Sequence, residues 1–144
     1  MRARPLARFR RLSPERRRLL VQATVLLSRA TLIVVLMPFR SAMRFGCAPV
    51  GRRQTVKTED VIWAVETAAN ILPWRIVCIE KGLVAQRMLR AAGMDAILHY
   101  GVRTLWQDDS LEAHVWVTVG ERLLIGGEEA HGFAAVATYP PEGS

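Results

Sequence analysis

The sequence has few cysteines and no close spacing of metal-binding residues. Two cysteines, Cys47 and Cys78, occur among 144 residues, which is too few for a disulfide framework. They could pair with each other, but a reduced, cytosolic chain is the simpler interpretation. Neither belongs to a C-x-x-C pair, and His99, His114 and His131 form no H-x-x-x-H pair. A metal site is therefore only a weak alternative, and no cofactor is expected.

Most of the chain also lacks an excess of charge of either sign. The net charge of +7 arises within residues 1–18, which hold eight arginines and one acid, whereas residues 19–144 hold twelve basic and twelve acidic residues. A folded domain that binds nucleic acid needs a basic face, and this balance argues against one. No nucleic-acid partner is expected, although the arginine-rich arm alone could touch phosphate groups.

The N-terminal part of the chain contains a basic arm and then a long helix. Residues 1–12 are predicted to be a flexible arm. Ser13 is suited to cap a helix and Pro14 to occupy its first position. The helix is predicted to run from Pro14 to about Leu36, because Pro38 cannot continue it.

From Leu19 onward this helix is apolar apart from a few polar residues, which leaves three interpretations. We favour a long helix that packs one face on the domain. The second is an interfacial helix whose arginine arm lies on anionic lipid, giving peripheral membrane contact through residues 1–37. Spanning a bilayer comes third, because Arg29 near the centre would cost about 2.5–3.5 kcal/mol there.

The remaining elements are predicted from periodicity and turn residues. After a connection over residues 40–57, one helix runs from Thr58 to Pro73, and another from Cys78 to Ala92 with Glu80 and Arg90 facing water. Strands are expected near residues 96–103, 114–119, 122–125 and 134–138. Helices followed by an antiparallel sheet indicate an α+β fold. The chain divides into an arm (1–12), a helix with its connection (13–57) and a core (58–144).

Cys78 at the head of a helix and His114 at the start of a strand suit a nucleophile and its base. A helix N-terminus carries partial positive charge, which favours thiolate over thiol, and a strand holds an imidazole rigidly. Gly82, one turn after the cysteine, permits close approach by another backbone. Alone, a helix cysteine is more often a small buried side chain. The joint setting of the two residues favours catalysis.

Four stretches carry a resemblance to a known family. They are CIEKGLVAQRMLRAAGMDAILHYGV from Cys78, AHVWVTVG around His114, NILPWRIV before Cys78, and LMPFR at the end of the apolar helix. Together they resemble the transglutaminase-like cysteine peptidases that remove the leader in lasso-peptide biosynthesis, in their stand-alone form. The match is most specific over residues 70–126. It implies a transglutaminase/papain-like core in which the cysteine helix packs on a small antiparallel sheet carrying the histidine.

The resemblance also implies partners and roles. The partners are the leader–core precursor peptide, a small leader-recognition protein and an ATP-dependent lasso cyclase. Cys78 corresponds to the nucleophile and His114 to the general base, with the Cys78 backbone N–H as a candidate oxyanion donor. A carboxylate is expected near position 126, where Gly126 and Gly127 stand instead. Glu128 is a tentative substitute if a bulge at the glycines brings it into register.

Several alternatives stay open at this stage. The third catalytic position is held by Glu128, by a backbone carbonyl in a Cys–His dyad, or by nothing, which would weaken the enzyme. The chain is a leader peptidase, a catalytically silent binding or scaffold module for the precursor and cyclase, or a membrane-surface protein that acts through residues 1–37.

Overall fold

The computed structural model describes residues 5–127 and 130–141 of the chain. The helices in chain order are α1 (Pro5–Arg11), α2 (Pro14–Leu36), α3 (Phe39–Arg44), α4 (Thr58–Ile71) and α5 (Cys78–Ala91). The strands are β1 (Ala96–Thr104), β2 (Leu111–Val119), β3 (Arg122–Ile125) and β4 (Ala134–Tyr139). The strands form one antiparallel sheet in the order β3-β2-β1-β4. The predicted α+β class is confirmed.

Helix α2 begins and ends where the local sequence predicts. The Ser13 side chain accepts a hydrogen bond from the Arg16 N–H at 3.3 Å, and Pro14 occupies the first helical position. The inner face packs against α4 and α5; its buried residues are Leu19, Leu20, Ala23, Leu26, Leu27 and Ala30. This is the favoured arrangement of one face on the domain. Length and composition would also let α2 cross a membrane, a test that core helices and signal sequences pass as well.

Two N-terminal segments have more structure than predicted. The arm predicted to be flexible is helical over Pro5–Arg11, because Phe9 and Leu12 pack against the core. The connection predicted over residues 40–57 begins inside α3, whose Ala42 and Met43 are buried. Local sequence signals are weak in both segments, so packing decides their conformation. The division of the chain at residues 12 and 57 stays a prediction.

Helix α5 lies against the sheet and against α2 and α4. A Cβ atom on Gly82 would lie 3.0 Å from Val115 Cγ2 and 3.1 Å from Leu98 Cδ1. The predicted close approach at this glycine is therefore made by side chains of the sheet rather than by a backbone. The prediction that Arg90 faces water is wrong, because its guanidinium is buried and its Nε donates to Ala48 O at 2.6 Å.

The strand register determines what surrounds His114. Strand β2 begins at Leu111, three residues before its predicted start, so His114 lies inside the strand and not at its beginning. Gly101 of β1 stands opposite His114. Between β2 and β3 the register shifts by one residue, because Thr118 pairs with Leu123 but Val117 pairs with Ile125. This bulge lies within β3 and not at the glycine pair.

Candidate active site

Cys78 and His114 line the same cleft, between the start of α5 and the β2–β3 hairpin. The cleft has a volume of about 710 Å³. Its lining consists of Glu66, Ile76, Cys78, Lys81, His114, Val115, Leu123, Leu124, Ile125, Gly126, Gly127 and His131. Residues 36 positions apart in the sequence thus meet at one surface depression large enough for several residues of a peptide.

The thiol of Cys78 is exposed at the first position of α5. The preceding Val77 is extended, and its N–H donates a hydrogen bond to Glu80 Oε2 at 2.7 Å. The prediction that Glu80 faces water is wrong, since only 4% of it is exposed. Its carboxylate caps the helix from the third position and fixes the turn just before the cysteine. The first N–H groups of a helix have no partner within it, so the start of α5 can stabilise an anion.

The imidazole of His114 is buried, and its Nε2 lies 2.9 Å from the carbonyl oxygen of Gly126. A carbonyl oxygen only accepts hydrogen bonds, so Nε2 carries the proton and donates it. In a neutral ring, this leaves Nδ1 as the basic nitrogen. The contact fixes both the tautomer and the orientation of the ring.

Gly126 stands where the resemblance leads us to expect a carboxylate. Its backbone conformation explains why a glycine occupies this position. Its φ is +73°, a conformation that favours glycine. A Cβ atom here would lie 2.6 Å from Val115 O and 3.1 Å from His114 Nε2. Any side chain would thus press on β2 and on the imidazole. The predicted alternative of an imidazole held by a backbone carbonyl agrees with this contact. Glu128 lies outside the described residues, and its role stays a prediction.

Aromatic rings complete the surroundings of His114. Its ring centroid lies 5.3 Å from that of Phe133 and 6.3 Å from that of Trp116. The guanidinium of Arg103 stacks on Phe133 at 4.5 Å. Trp116 stands two residues from His114, so strand alternation places both on one face of the sheet. Phe133 has no such signal and was missed in the sequence, because the loop after Gly127 brings it to the imidazole.

The rest of the cleft combines one ion pair with apolar side chains. Lys81 Nζ lies 3.1 Å from Glu66 Oε2, while Ile76 and residues 123–125 of β3 supply apolar surface. His131 also reaches the cleft, which the sequence did not indicate. Within residues 5–127 and 130–141, no three His, Cys, Asp or Glu side chains cluster as a metal ion would require. The cleft thus presents a thiol, imidazoles and a mixed polar and apolar lining.

Cys47 has a different environment. It follows α3, is half-buried and does not line the cleft. Burial raises the pKa of its thiol, an effect that Arg90 opposes only in part. Both cysteines are free thiols, so the alternative of a Cys47–Cys78 disulfide is wrong. Cys47 is a small side chain at the edge of the core, as its sequence context predicted.

Comparison with known proteins identifies the family. No curated protein and no solved structure matches the chain. A family model described as the transglutaminase-like superfamily matches residues 19–138. The matched segment begins in α2, ends in β4 and contains the cleft residues Cys78 and His114. Over five-sixths of its length, with the helix-then-sheet architecture described above, the chain belongs to the transglutaminase-like superfamily.

Proposed function

We propose that this protein is a cysteine peptidase that removes the leader from a lasso-peptide precursor. The observation that supports it most is the pair at the cleft: an exposed thiol at the first position of α5 and a buried imidazole with a fixed tautomer. The superfamily generally includes cysteine peptidases and acyltransferases. The resemblance of residues 70–126 to leader peptidases narrows this to hydrolysis of one peptide bond.

The reaction follows from the chemistry of the pair. His114 takes the proton of the Cys78 thiol, and the thiolate attacks the carbonyl carbon that joins leader to core. As the C–N bond breaks, the imidazolium protonates the departing amine of the core peptide, and a thioester remains on Cys78. Water, deprotonated by His114, then attacks the thioester. The leader leaves with a new carboxylate, and the thiol recovers its proton.

The start of α5 is the natural place for the negative charge that develops on the carbonyl oxygen. The Val77 N–H already donates to Glu80, so it is engaged in holding the turn. The Cys78 N–H follows it at the first helical position, where no acceptor within the helix exists. We assign this N–H as an oxyanion donor, assisted by the partial positive charge of the helix end.

The cleft lining combines an apolar surface with a pair of charges, and this combination suits the binding of an extended peptide. Ile76 and the β3 residues 123–125 offer apolar surface, and the Glu66–Lys81 pair offers one charge of each sign. A leader–core junction with an apolar residue beside the cleaved bond would place that residue on the apolar surface. The paired charges are half-exposed, so they can exchange their mutual contact for backbone or side-chain groups of the substrate.

The proposed partners come from the resemblance, and the order of the chemistry relates their steps. Ring closure by the ATP-dependent cyclase consumes the free amine that leader removal creates, so cleavage precedes it. The small leader-recognition protein would hold the leader and deliver the junction to the cleft. We propose both as partners on the strength of the resemblance alone.

Glu128 remains the proposed carboxylate that orients His114. The bulge between β2 and β3 shifts their pairing by one residue. That shift has the size and direction that the Glu128 hypothesis needs, since an unbulged hairpin would pair position 127 with His114. Nδ1 is the nitrogen that takes the thiol proton, so the carbonyl of Gly126 and the carboxylate of Glu128 would share the Nε2 proton, which both can accept.

Mass spectrometry of the precursor tests the proposal. The precursor and the recognition protein are incubated with wild type, with Cys78→Ala or with Cys47→Ala, which removes the thiol that lies outside the cleft. We expect one cut that releases the intact leader, unchanged in Cys47→Ala and lowered at least about 10³-fold in Cys78→Ala. A precursor that binds but stays uncut with wild type would support the scaffold alternative. A leader joined to an added amine would identify an acyltransferase.

A further inference from the structure

The outer face of α2 is an apolar surface that the described part of the chain leaves uncovered. Five side chains at helical spacing form it, with exposed fractions of 52–76%: Val21, Val25, Leu32, Val35 and Leu36. We call these residues the outer stripe. The opposite face of α2 is buried in the core, where it packs against α4 and α5. The stripe therefore stays on the surface as long as the domain is folded, and a contiguous exposed apolar patch is typical of a binding surface.

One edge of the outer stripe is basic. Arg18 and Arg29 are eleven residues apart, which places them on the same side of the helix beside the stripe. Helix α1 adds further arginines at the start of α2. Five exposed arginines have no acidic partner among residues 5–127 and 130–141: Arg8, Arg10, Arg11, Arg18 and Arg29. Arg16 differs, since its guanidinium lies 3.0 Å from Asp60 Oδ1.

A groove joins the arginines to the apolar surface. It lies between α1 and the first turns of α2 and has a volume of about 780 Å³. Its lining consists of Phe9, Pro14, Arg17, Arg18, Val21 and Gln22. The Nε of Arg17 is buried and has no hydrogen-bond partner among residues 5–127 and 130–141. A buried donor without a partner is unfavourable, and Arg17 also lines the groove, so its guanidinium would turn toward an anionic oxygen bound there.

We propose that α1 and α2 dock the protein on an anionic lipid bilayer, with α2 lying in the plane of the membrane surface. The outer stripe would enter the boundary between headgroups and acyl chains, and Arg18 and Arg29 would extend to the phosphates along its edge. The groove would take one anionic headgroup against Arg17 and Arg18, with its acyl chain on Phe9 and Val21.

The distribution of charge favours a lipid surface over a protein partner as the occupant of the outer stripe. Residues 1–18 carry a net charge of +7 and the rest of the chain carries none, so the attraction is confined to the end that bears the stripe. Anionic leaflets attract such clusters without requiring a patterned partner. Spanning would require α2 to leave the core and would place Arg29 in the hydrocarbon.

Co-sedimentation with vesicles tests whether binding depends on the arginines of α1 and α2. Wild type is mixed with vesicles of phosphatidylcholine or of phosphatidylcholine with phosphatidylglycerol. We expect binding to the mixed vesicles only, weakened by salt. Replacing Arg10, Arg11 and Arg18 with Gln lowers binding on the order of 100-fold, because each arginine contributes about fivefold. The control replaces Arg44, Arg52 and Arg53 with Gln, which removes the same charge from exposed positions elsewhere, and it changes binding less than about twofold.

A second variant tests the stripe. Val25→Ser, Leu32→Ser and Leu36→Ser together change only exposed positions, so circular dichroism and thermal unfolding should show a retained fold while vesicle binding is lost. Inorganic phosphate at the same concentration as the lipid should not displace the protein. Equal binding to neutral vesicles, equal loss in the arginine control, or full binding by the serine variant would overturn the proposal. No binding to either vesicle would overturn it too and leave the stripe to a protein partner. The surface contains no residue of the catalytic cleft, so these outcomes are independent of the peptidase proposal.

Discussion

The two cysteines of this chain occupy sites that differ in exposure, in position relative to a helix and in access to the cleft. Cys78 is exposed at the first position of a 14-residue helix and lines a cleft with His114. Cys47 is half-buried after a short helix, and burial raises the pKa of its thiol. The same side chain is therefore kept protonated at one site and offered to a base at the other.

The comparison shows that the backbone around each thiol decides its chemistry. At Cys78, Glu80 caps the turn before the helix, and the first N–H groups of the helix have no partner within it. At Cys47, Arg90 opposes the rise of the thiol pKa only in part, and its Nε is already engaged with Ala48 O. Substitutions that alter the Cys78 surroundings should abolish or weaken the difference between the two thiols.

Removing the imidazole should have the largest effect. With His114→Ala we expect precursor cleavage to fall by a factor on the order of 10³ or more, because this imidazole takes the thiol proton and protonates the departing amine in the proposed mechanism. His131→Ala is the matched control, since this imidazole also lines the cleft but is exposed. The cleavage rate of each variant is measured at saturating precursor. Equal losses in the two variants would contradict the assignment of His114 as the base.

A side chain at position 126 should have the next largest effect. Gly126→Ala would force a Cβ to within 2.6 Å of Val115 O and 3.1 Å of His114 Nε2. We expect a loss of about 1–3 kcal/mol in the free energy of unfolding and a cleavage rate lowered about tenfold to a hundredfold.

Gly120→Ala is the control for this prediction. Gly120 has a φ of +59°, but a Cβ there would meet nothing within 4 Å. It should therefore lose only about 1 kcal/mol from backbone strain and keep its cleavage rate. Urea denaturation and single-turnover cleavage measure the two effects. If both glycine variants behave alike, the contact between the Gly126 backbone and His114 has no role in orienting the ring.

Loss of the helix cap should have a moderate effect. Glu80→Ala removes the acceptor of the Val77 N–H and should lower the free energy of unfolding by about 1 kcal/mol. Cleavage should fall as well, because the turn that positions Cys78 loosens. Glu80→Gln keeps an acceptor oxygen at the same position and should restore most of both losses. Unfolding midpoints and cleavage rates of the two variants test this prediction. If Glu80→Gln loses as much stability and activity as Glu80→Ala, the charge of the carboxylate is required and an acceptor oxygen is not enough.

The smallest expected effect concerns Cys47. Its folded-state pKa is raised above the ordinary value of 9.0 by burial. Its contribution to stability is therefore complete below that value and is lost as pH rises through the folded-state pKa, where unfolding releases a proton. Thermal unfolding of wild type and Cys47→Ala on both sides of 9.0 tests this. The wild type should lose more stability than the variant at the higher pH, and parallel curves would contradict the shift.

Local signals in the sequence were sufficient for most of the fold. Ser13, Pro14 and Pro38 determine where α2 begins and ends, and the helix at Cys78 and the hairpin turn at residues 120–121 are also recognisable locally. The pairing of Cys78 with His114 in one cleft was predicted from their positions at regular elements. These features depend on residues close together in sequence or on strong helix and strand patterns.

The rest depends on packing between distant residues. Helix α1 forms because Phe9 and Leu12 reach the core, and Arg90 is buried because it donates to the carbonyl of Ala48, 42 residues away. Glu80 differs, since its partner is the nearby Val77 N–H and its burial is due to its role as the cap of α5. The contact from His114 to Gly126 is made by a backbone carbonyl, which leaves no side-chain signature. A glycine in place of a carboxylate looked like a defect in the sequence, whereas in the structure its missing side chain makes room for the imidazole.

The central claim is that the Cys78 thiol and the His114 imidazole act as one unit, and the alkylation rate of each cysteine tests it most directly. Iodoacetamide labelling is followed by peptide mass spectrometry in wild type, His114→Ala and His131→Ala across neutral pH. We predict that Cys78 reacts much faster than Cys47 in wild type and in His131→Ala. In His114→Ala the rate at Cys78 should fall at least about tenfold, while the rate at Cys47 stays the same. An unchanged rate at Cys78 without His114 would contradict the claim.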